Sequence, residues 1–252
     1  MLKPQQQPAP LSTQNSSHPL PNRFNLLVWN LQKTPAEQLN PQRLQQFIPV
    51  LTHTPVHLYA LQEAAIHQPE QGYLNLPYSM SCNIQGKRRS YGVVTASDYQ
   101  MICVEQFLTQ RRELGFLTHK SALLTAHFFA DNQPLYLLNL HAMVFVPYFF
   151  FKKELRRLSN LIAGLQNPLI ISGDFNTWNR KRSQLLHDCL GQFQLQQAPI
   201  ETPQHIKSIY RHPLDHIYYR GLNLLQAQAF NVPQCSDHNP LLAQFEYLPT
   251  QH

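Results

Sequence analysis

Six short stretches of this chain set a strongly polar side chain at the end of an apolar run. Val28-Trp29 leads to Asn30. Residues 59–62 lead to Glu63. Leu137-Leu138 leads to Asn139-Leu140-His141. Residues 170–173 lead to Asp174-Phe175-Asn176. Leu214 leads to Asp215-His216. Cys235 leads to Ser236-Asp237-His238, just before the apolar Pro240-Leu241-Leu242. Burying a carboxylate beside apolar neighbours is costly unless it is paired or binds a metal. A single strand-end Asp usually caps a turn. Here four of the chain's 14 acidic residues share such positions with histidines and asparagines. If the apolar runs are strands of shared sheets, their C-terminal ends form one rim, and the polar side chains converge there to work on a metal and a proton.

The elements that must position these residues can be read from pattern. Residues 24–29 form a short apolar run and read as a buried strand. Asn40-Pro41 looks like a helix cap with a first-turn proline. Leu44, Phe47, Ile48 and Leu51 follow at helical spacing and should face the core. Residues 56–61 read as the next strand, and the turn-rich residues 72–89 as a surface loop. Residues 91–96, 101–108, 121–129 and 134–140 read as four strands of an antiparallel meander. A helix is expected over residues 149–166, with Leu155, Leu158, Ile162 and Leu165 inward and Lys152, Lys153, Arg156 and Arg157 outward. Residues 168–172 read as a strand and 180–190 as a helix. Residues 214–219, 224–230 and 240–245 close the set as strands. Strands outnumber helices, which suggests two packed sheets with helices outside them.

Composition narrows the possibilities. The chain has 252 residues, enough for one large domain with a real core. Hydrophobic residues make up 43%, too many for disorder. Charged residues make up only 13%, against about 25% in typical domains, so the place of each carboxylate carries information. The net charge is +6, which favours polyanions, although a merely soluble basic surface would give the same sum. Eight glycines form neither a GxGxxG nor a phosphate-binding loop, and no GxSxG elbow or HExxH occurs. His53 and His57 have helical ligand spacing, but Pro55 between them argues for a polar loop. Cys82, Cys103, Cys189 and Cys235 are far apart and read as free thiols of a reducing compartment. Residues 1–22 are rich in Gln, Pro and Ser and read as a flexible leader. No apolar run reaches the roughly 20 residues that span a membrane. One domain over residues 23–248, a monomer and a cytoplasmic location are expected.

The set Trp29-Asn30, Leu61-Gln62-Glu63, Asn139-Leu140-His141, Gly173-Asp174-Phe175-Asn176, Leu214-Asp215-His216 and Ser236-Asp237-His238-Asn239-Pro240 resembles the endonuclease/exonuclease/phosphatase superfamily, the deoxyribonuclease I-like proteins. All six motifs occur in the family's order. The Gly-Asp-x-Asn and Ser-Asp-His motifs are the specific part. The chain looks closest to the bacterial YafD-like branch, through Pro213-Leu214-Asp215 and the segment Tyr219-Arg220-Gly221-Leu222-Asn223. The resemblance implies a four-layer α/β/β/α sandwich of the α+β class, with two mixed sheets and helices outside. It implies a hydrolase of phosphate esters that uses magnesium, with manganese as an alternative. Glu63 would be the main metal ligand, with Asn30 beside it and Asp237 within reach. His238 and Asp215 would be the family's His–Asp pair. Asp174 would orient or deprotonate the attacking water. His141 would stabilise the phosphate or assist the leaving group, and Asn176 and Asn139 would bind substrate. Asn30 could instead simply end a strand, His141 could be a core histidine, and the general base stays open between the candidates.

The substrate is less sharply indicated. Abasic-site endonucleases carry a Tyr-based motif where this chain has Asn139-Leu140-His141, and inositol phosphatases a Cys-Asp-Arg where it has Leu214-Asp215-His216. Both departures count against close kinship. Residues 143–151 hold Phe145, Tyr148, Phe149, Phe150 and Phe151, which could stack on bases, dip into lipid or anchor the following helix. Lys87, Arg88 and Arg89 form a basic stretch, joined by Arg180, Lys181 and Arg182, that could track a phosphate backbone. A nuclease is the leading expectation, with nucleic acid as partner. A phospholipid phosphodiesterase or phosphomonoesterase comes second, and a non-catalytic binding protein third.

Overall fold

In a computed structural model of the chain, residues 3–12, 16–34, 41–67, 73–113, 118–142 and 146–249 are described. Among these residues, fifteen strands and three α-helices follow one another: β1 (Lys3–Ser12), β2 (Arg23–Asn30), α1 (Pro41–Phe47), β3 (Leu58–His67), β4 (Tyr78–Gln85), β5 (Arg89–Ala96), β6 (Met101–Leu108), β7 (Ser121–Phe128), β8 (Pro134–His141), α2 (Tyr148–Ala163), β9 (Leu169–Asp174), α3 (Arg180–Gly191), β10 (Gln196–Gln197), β11 (Ser208–Ile209), β12 (His212–Pro213), β13 (Asp215–Arg220), β14 (Asn223–Ala229) and β15 (Leu241–Glu246). One sheet runs β1-β4-β5-β3-β2-β15-β14 and the other β10-β13-β9-β8-β7-β6, while β11 and β12 form a small hairpin. Both large sheets are mixed, since β2–β3 and β8–β9 pair in parallel and their other neighbours antiparallel. The expected α/β/β/α layering is present.

Period-2 alternation explains the layers. On β2, Phe24, Leu26 and Val28 face a core shared with Leu135 and Leu137 of β8, Ile170 of β9 and Ile217 of β13. The alternate residues Leu27 and Trp29 pack outward with Leu44 and Ile48 around α1. On the far side, Phe151, Leu155, Leu158 and Ile162 of α2 join Leu186 and Leu190 of α3 on the second sheet. Among the described residues no helix is long and apolar enough to cross a membrane.

The inward-facing alternation also generates the polar rim. Continuing two residues beyond Val28 gives Asn30; beyond Ala60, Gln62; beyond Leu137, Asn139 and His141; beyond Ile170, Ser172 and Asp174. On β13 the same face runs back from Ile217 to Asp215. Five strands thus turn from apolar to polar at one end of the inter-sheet space. Two of the predicted positions are not C-terminal ends. Asp215 begins β13 and His238 precedes β15, because these strands run antiparallel to β9 and β2 and present their starts to the same rim.

Three further expectations give way. Residues 72–89 are not simply a surface loop: Tyr78–Gln85 is a largely buried strand. Its Ser79, Ser81 and Asn83 read as turn residues, yet both faces of the strand are covered, and Asn83 Nδ2 donates to His119 O at 2.6 Å. The four-strand meander holds only for β6–β8, since β5 pairs with β3 and β4 in the other sheet. Within the stretch read as a flexible leader, the backbone of Lys3–Ser12 is the edge strand beside β4, where prolines are tolerated because an outer N–H has no ladder partner to lose.

Candidate active site

The second sheet lines up three of the predicted residues. His141 pairs with Asp174 in the parallel β8–β9 ladder, and Asp174 with Asp215 in the antiparallel β9–β13 ladder. The three side chains therefore stand in one row across adjacent strands. Gly173 allows the approach: its φ is +135°, and a Cβ there would lie 2.0 Å from Leu140 O. From the first sheet, Asn30 Nδ2 donates to Asp174 Oδ2 at 3.0 Å. The other oxygen of Asp174 accepts from Asn176 N at 3.0 Å.

His238 enters from the loop before β15. Its backbone N–H donates to Ser236 Oγ at 3.1 Å, and its carbonyl accepts from Trp29 Nε1 at 2.8 Å. So held, the ring sets Nδ1 2.8 Å from Asp215 Oδ2, and Nε2 lies 3.9 Å from Asp174 Oδ2. Burial opposes a charge on this imidazole, but Asp215 and Asp174 outweigh it, and the pKa rises to about 9. Asp174 is pushed the other way from an ordinary carboxyl. Burial and the neighbouring Asp215 raise it to about 7. A charged imidazole thus faces a carboxylate that titrates near neutrality, a pairing suited to proton transfer.

Glu63 lies on β3 where the ladder slips between Leu61 and Ala64. The bulge gives Glu63 a φ of 47° and turns its side chain to the rim. Opposite it, a Cβ on Gly92 would lie 2.0 Å from Ser81 O. Glu63 Oε1 stands 3.7 Å from His141 Nε2 and 3.8 Å from Lys120 Nζ, distances too long for hydrogen bonds. His141 itself is held far below its usual pKa, by burial first and then by Lys120, so its ring is neutral.

The donor set suits a hard cation. Glu63 offers a carboxylate whose neighbours Lys120 and His141 stand beyond hydrogen-bond distance, and Asn30 Oδ1, which accepts from Gln32 N at 3.0 Å, retains a second lone pair. Asp215 Oδ1 is buried without a hydrogen bond to protein. Asp237 fits less well, because its carboxylate is half exposed and bound to Lys207 Nζ at 2.8 Å. Ligand atoms of Asp174, Asp215 and His238 also lie within 4.8 Å of one another. There, however, Nδ1 of His238 is already engaged by Asp215.

Not every predicted residue reaches the site. Asn139 is fully buried between the sheets. It accepts from Gln62 Nε2 at 2.7 Å and donates to Val94 O at 2.8 Å and Leu61 O at 3.2 Å. It clamps the sheets together, deeper than the rim at which it was expected to bind substrate. Asn176 has a φ of 53° and gives one amide hydrogen to Ala142 O at 2.8 Å, leaving the other. Arg182 is also no surface charge. It is buried over the Phe151 and Trp178 rings and donates to Val146 O and Asn176 O. Of the aromatic stretch, residues 143–145 lie outside the described residues. Phe151 is core, whereas Phe149 is 67% exposed. Sequence reasoning missed Lys120, Gln62 and Trp29. Lys120 obeys the same strand-end pattern at the start of β7, but a basic residue there reads as solvated.

Comparisons with known proteins give the family and the fold. A family model described as "Endonuclease/Exonuclease/phosphatase family" matches residues 27–238. A UPF0294 protein of Erwinia tasmaniensis is 31% identical over 232 residues, covering 89% of this chain and 82% of that protein. Among solved structures, an endonuclease/exonuclease/phosphatase family protein from Leptotrichia buccalis superposes with a TM-score of 0.62 at 16% identity. It covers 89% of this chain and 100% of that one. The human Nocturnin catalytic domain gives 0.54 at 16% identity, covering 91% and 96%. At such identities the solved structures show the fold alone.

Proposed function

This chain belongs to the endonuclease/exonuclease/phosphatase family, and from that premise we propose that it is a nuclease, a divalent-metal-dependent phosphodiesterase that attacks phosphorus with an activated water. Family members are hydrolases of phosphate esters. Asp174 accepts the proton of the attacking water, which its raised pKa of about 7 suits. His238, kept charged by Asp215, places a donor beside the same water and the phosphate oxygens. The remaining amide hydrogen of Asn176 would donate to a phosphate oxygen. Glu63 and Asn30 would hold magnesium or manganese, which when bound supplies positive charge against the phosphate.

What supports a nucleic-acid substrate is one continuity of surface. A pocket of about 210 Å³ is lined by Glu63, His141, Lys120 and Tyr91. Tyr91 also lines a groove of about 410 Å³ walled by His67, Lys87, Arg88 and Arg89. A chain cleaved at Glu63 can continue over an aromatic ring onto three cations, as a phosphate backbone would. The four thiols, which form no disulfide, support action in a reducing cytoplasm, and we read the protein as a monomer.

The test is hydrolysis with magnesium of single-stranded DNA, duplex DNA, RNA and sphingomyelin. Replacing Lys87, Arg88 and Arg89 by Gln should weaken nucleic-acid binding and flatten its dependence on salt. Cleavage of sphingomyelin alone would overturn the nuclease reading, and cleavage of nothing would favour a binding protein.

The second reading, a phospholipid phosphodiesterase, has its own observation. An apolar cavity of about 70 Å³ lies beneath α2, lined by Phe107, Leu140, Phe151 and Phe175 and touching His141. Tyr148 and Phe149 are exposed nearby in sequence, at the start of α2.

A further inference from the structure

Lys120 is used by none of the roles above, yet it stands in the middle of them. It is nearly buried, with Nζ 3.1 Å from His141 Nε2, 3.5 Å from Glu113 Oε2 and 3.8 Å from Glu63 Oε1. It also lines the same pocket as Glu63. An ammonium this far from water is costly unless carboxylates compensate, and two do. An ammonium can only donate, so the Nε2 lone pair of His141 accepts from it. That contact changes what His141 can do. The ring atom facing the site is engaged as an acceptor and cannot also donate to a phosphate oxygen. The positive group presented there belongs to Lys120.

We propose that Lys120 binds a non-bridging oxygen of the substrate phosphate through Nζ, and that His141 and Glu113 are positioning residues that aim it. The proposal rests on the reading of Glu63 and Asp174 as the site of cleavage. Glu113 Oε2 at 3.5 Å and His141 Nε2 at 3.1 Å hold the ammonium in place. Three donor hydrogens allow Nζ to keep His141 and Glu113 and still offer the third, which makes no hydrogen bond to Glu63 at 3.8 Å, to an incoming anion.

The probe is inorganic phosphate, titrated calorimetrically into wild type, Lys120→Met, Lys120→Gln and Lys120→Arg, with magnesium and again with chelator. Wild type should bind it in magnesium. Lys120→Met should lose roughly tenfold or more in affinity, and Lys120→Arg should keep most of it. Titration with manganese should show the metal held by Lys120→Met at least as tightly as by wild type, because a cation beside Glu63 has gone. If Lys120→Met does not fold, Lys120→Gln, which keeps a polar end without the charge, carries the same expectation. Unchanged phosphate affinity in a folded Met or Gln variant would overturn the proposal, as would failure of wild type to bind phosphate. Wild type that binds phosphate but cleaves no ester would instead sink the nuclease reading and leave the phosphate site standing.

Discussion

Asp215 Oδ2 holds Nδ1 of His238 at 2.8 Å, and this one contact leaves Nε2 of the same ring facing Asp174. Two carboxylates on adjacent strands are thereby divided in role. One keeps the imidazole charged and oriented, and the other is the residue proposed to act on the attacking water. Asp215→Asn should therefore lower the His238 pKa from about 9 towards the ordinary range. It should reduce kcat/KM by about 100-fold or more. An NMR titration of the ring checks the first claim, and an unshifted titration would contradict it.

The same pair makes stability depend on pH. The folded pKa of His238, about 9, exceeds its ordinary value of 6.5. Its stabilisation is thus complete below pH 6.5 and is lost as pH rises through 9. Asp174 acts in the same direction, because a carboxyl raised from 3.8 to about 7 costs more stability as it ionises across that interval. Metal-free protein should melt at progressively lower temperature from pH 4 to pH 9. Replacing His238 by Asn should flatten the upper part of that slope, and an unchanged slope would contradict the assignment.

Asn139 ties the two sheets together through Gln62, Leu61 and Val94. Asn139→Ala should cost about 2 kcal/mol of stability in urea unfolding, since it strands a buried amide and two carbonyls. KM should change little. A raised KM without loss of stability would return Asn139 to substrate binding.

Gly173→Ala should destabilise by about 3 kcal/mol or more, because the added Cβ meets Leu140 O at 2.0 Å on a backbone with φ +135°. A thermal melt checks it. A neutral result would mean that β8 and β9 do not approach as described.

Much of this site was legible because its residues end the inward-facing alternation of short, strongly apolar strands. Val28 leads to Asn30 and Ile170 to Asp174 by the same two-residue step. What was not legible depended on pairing between distant segments. Ser79, Ser81 and Asn83 look like turn residues until the other sheet covers them. Asn139 has the spacing of a site residue, but its place deeper between the sheets gives it protein partners on every side. Lys120 is invisible to hydropathy because its compensation comes from Glu63 and Glu113, which no local pattern joins to it.

The central claim is that Glu63 holds the cation against which Asp174 and His238 act. Its most direct test is kcat/KM for magnesium-dependent cleavage of a single-stranded oligonucleotide by wild type, Glu63→Gln and His238→Asn. Each variant should fall by about 100-fold or more while keeping its fold, and only Glu63→Gln should also need more magnesium for half-maximal rate. Cleavage by either variant at the wild-type rate would contradict the account.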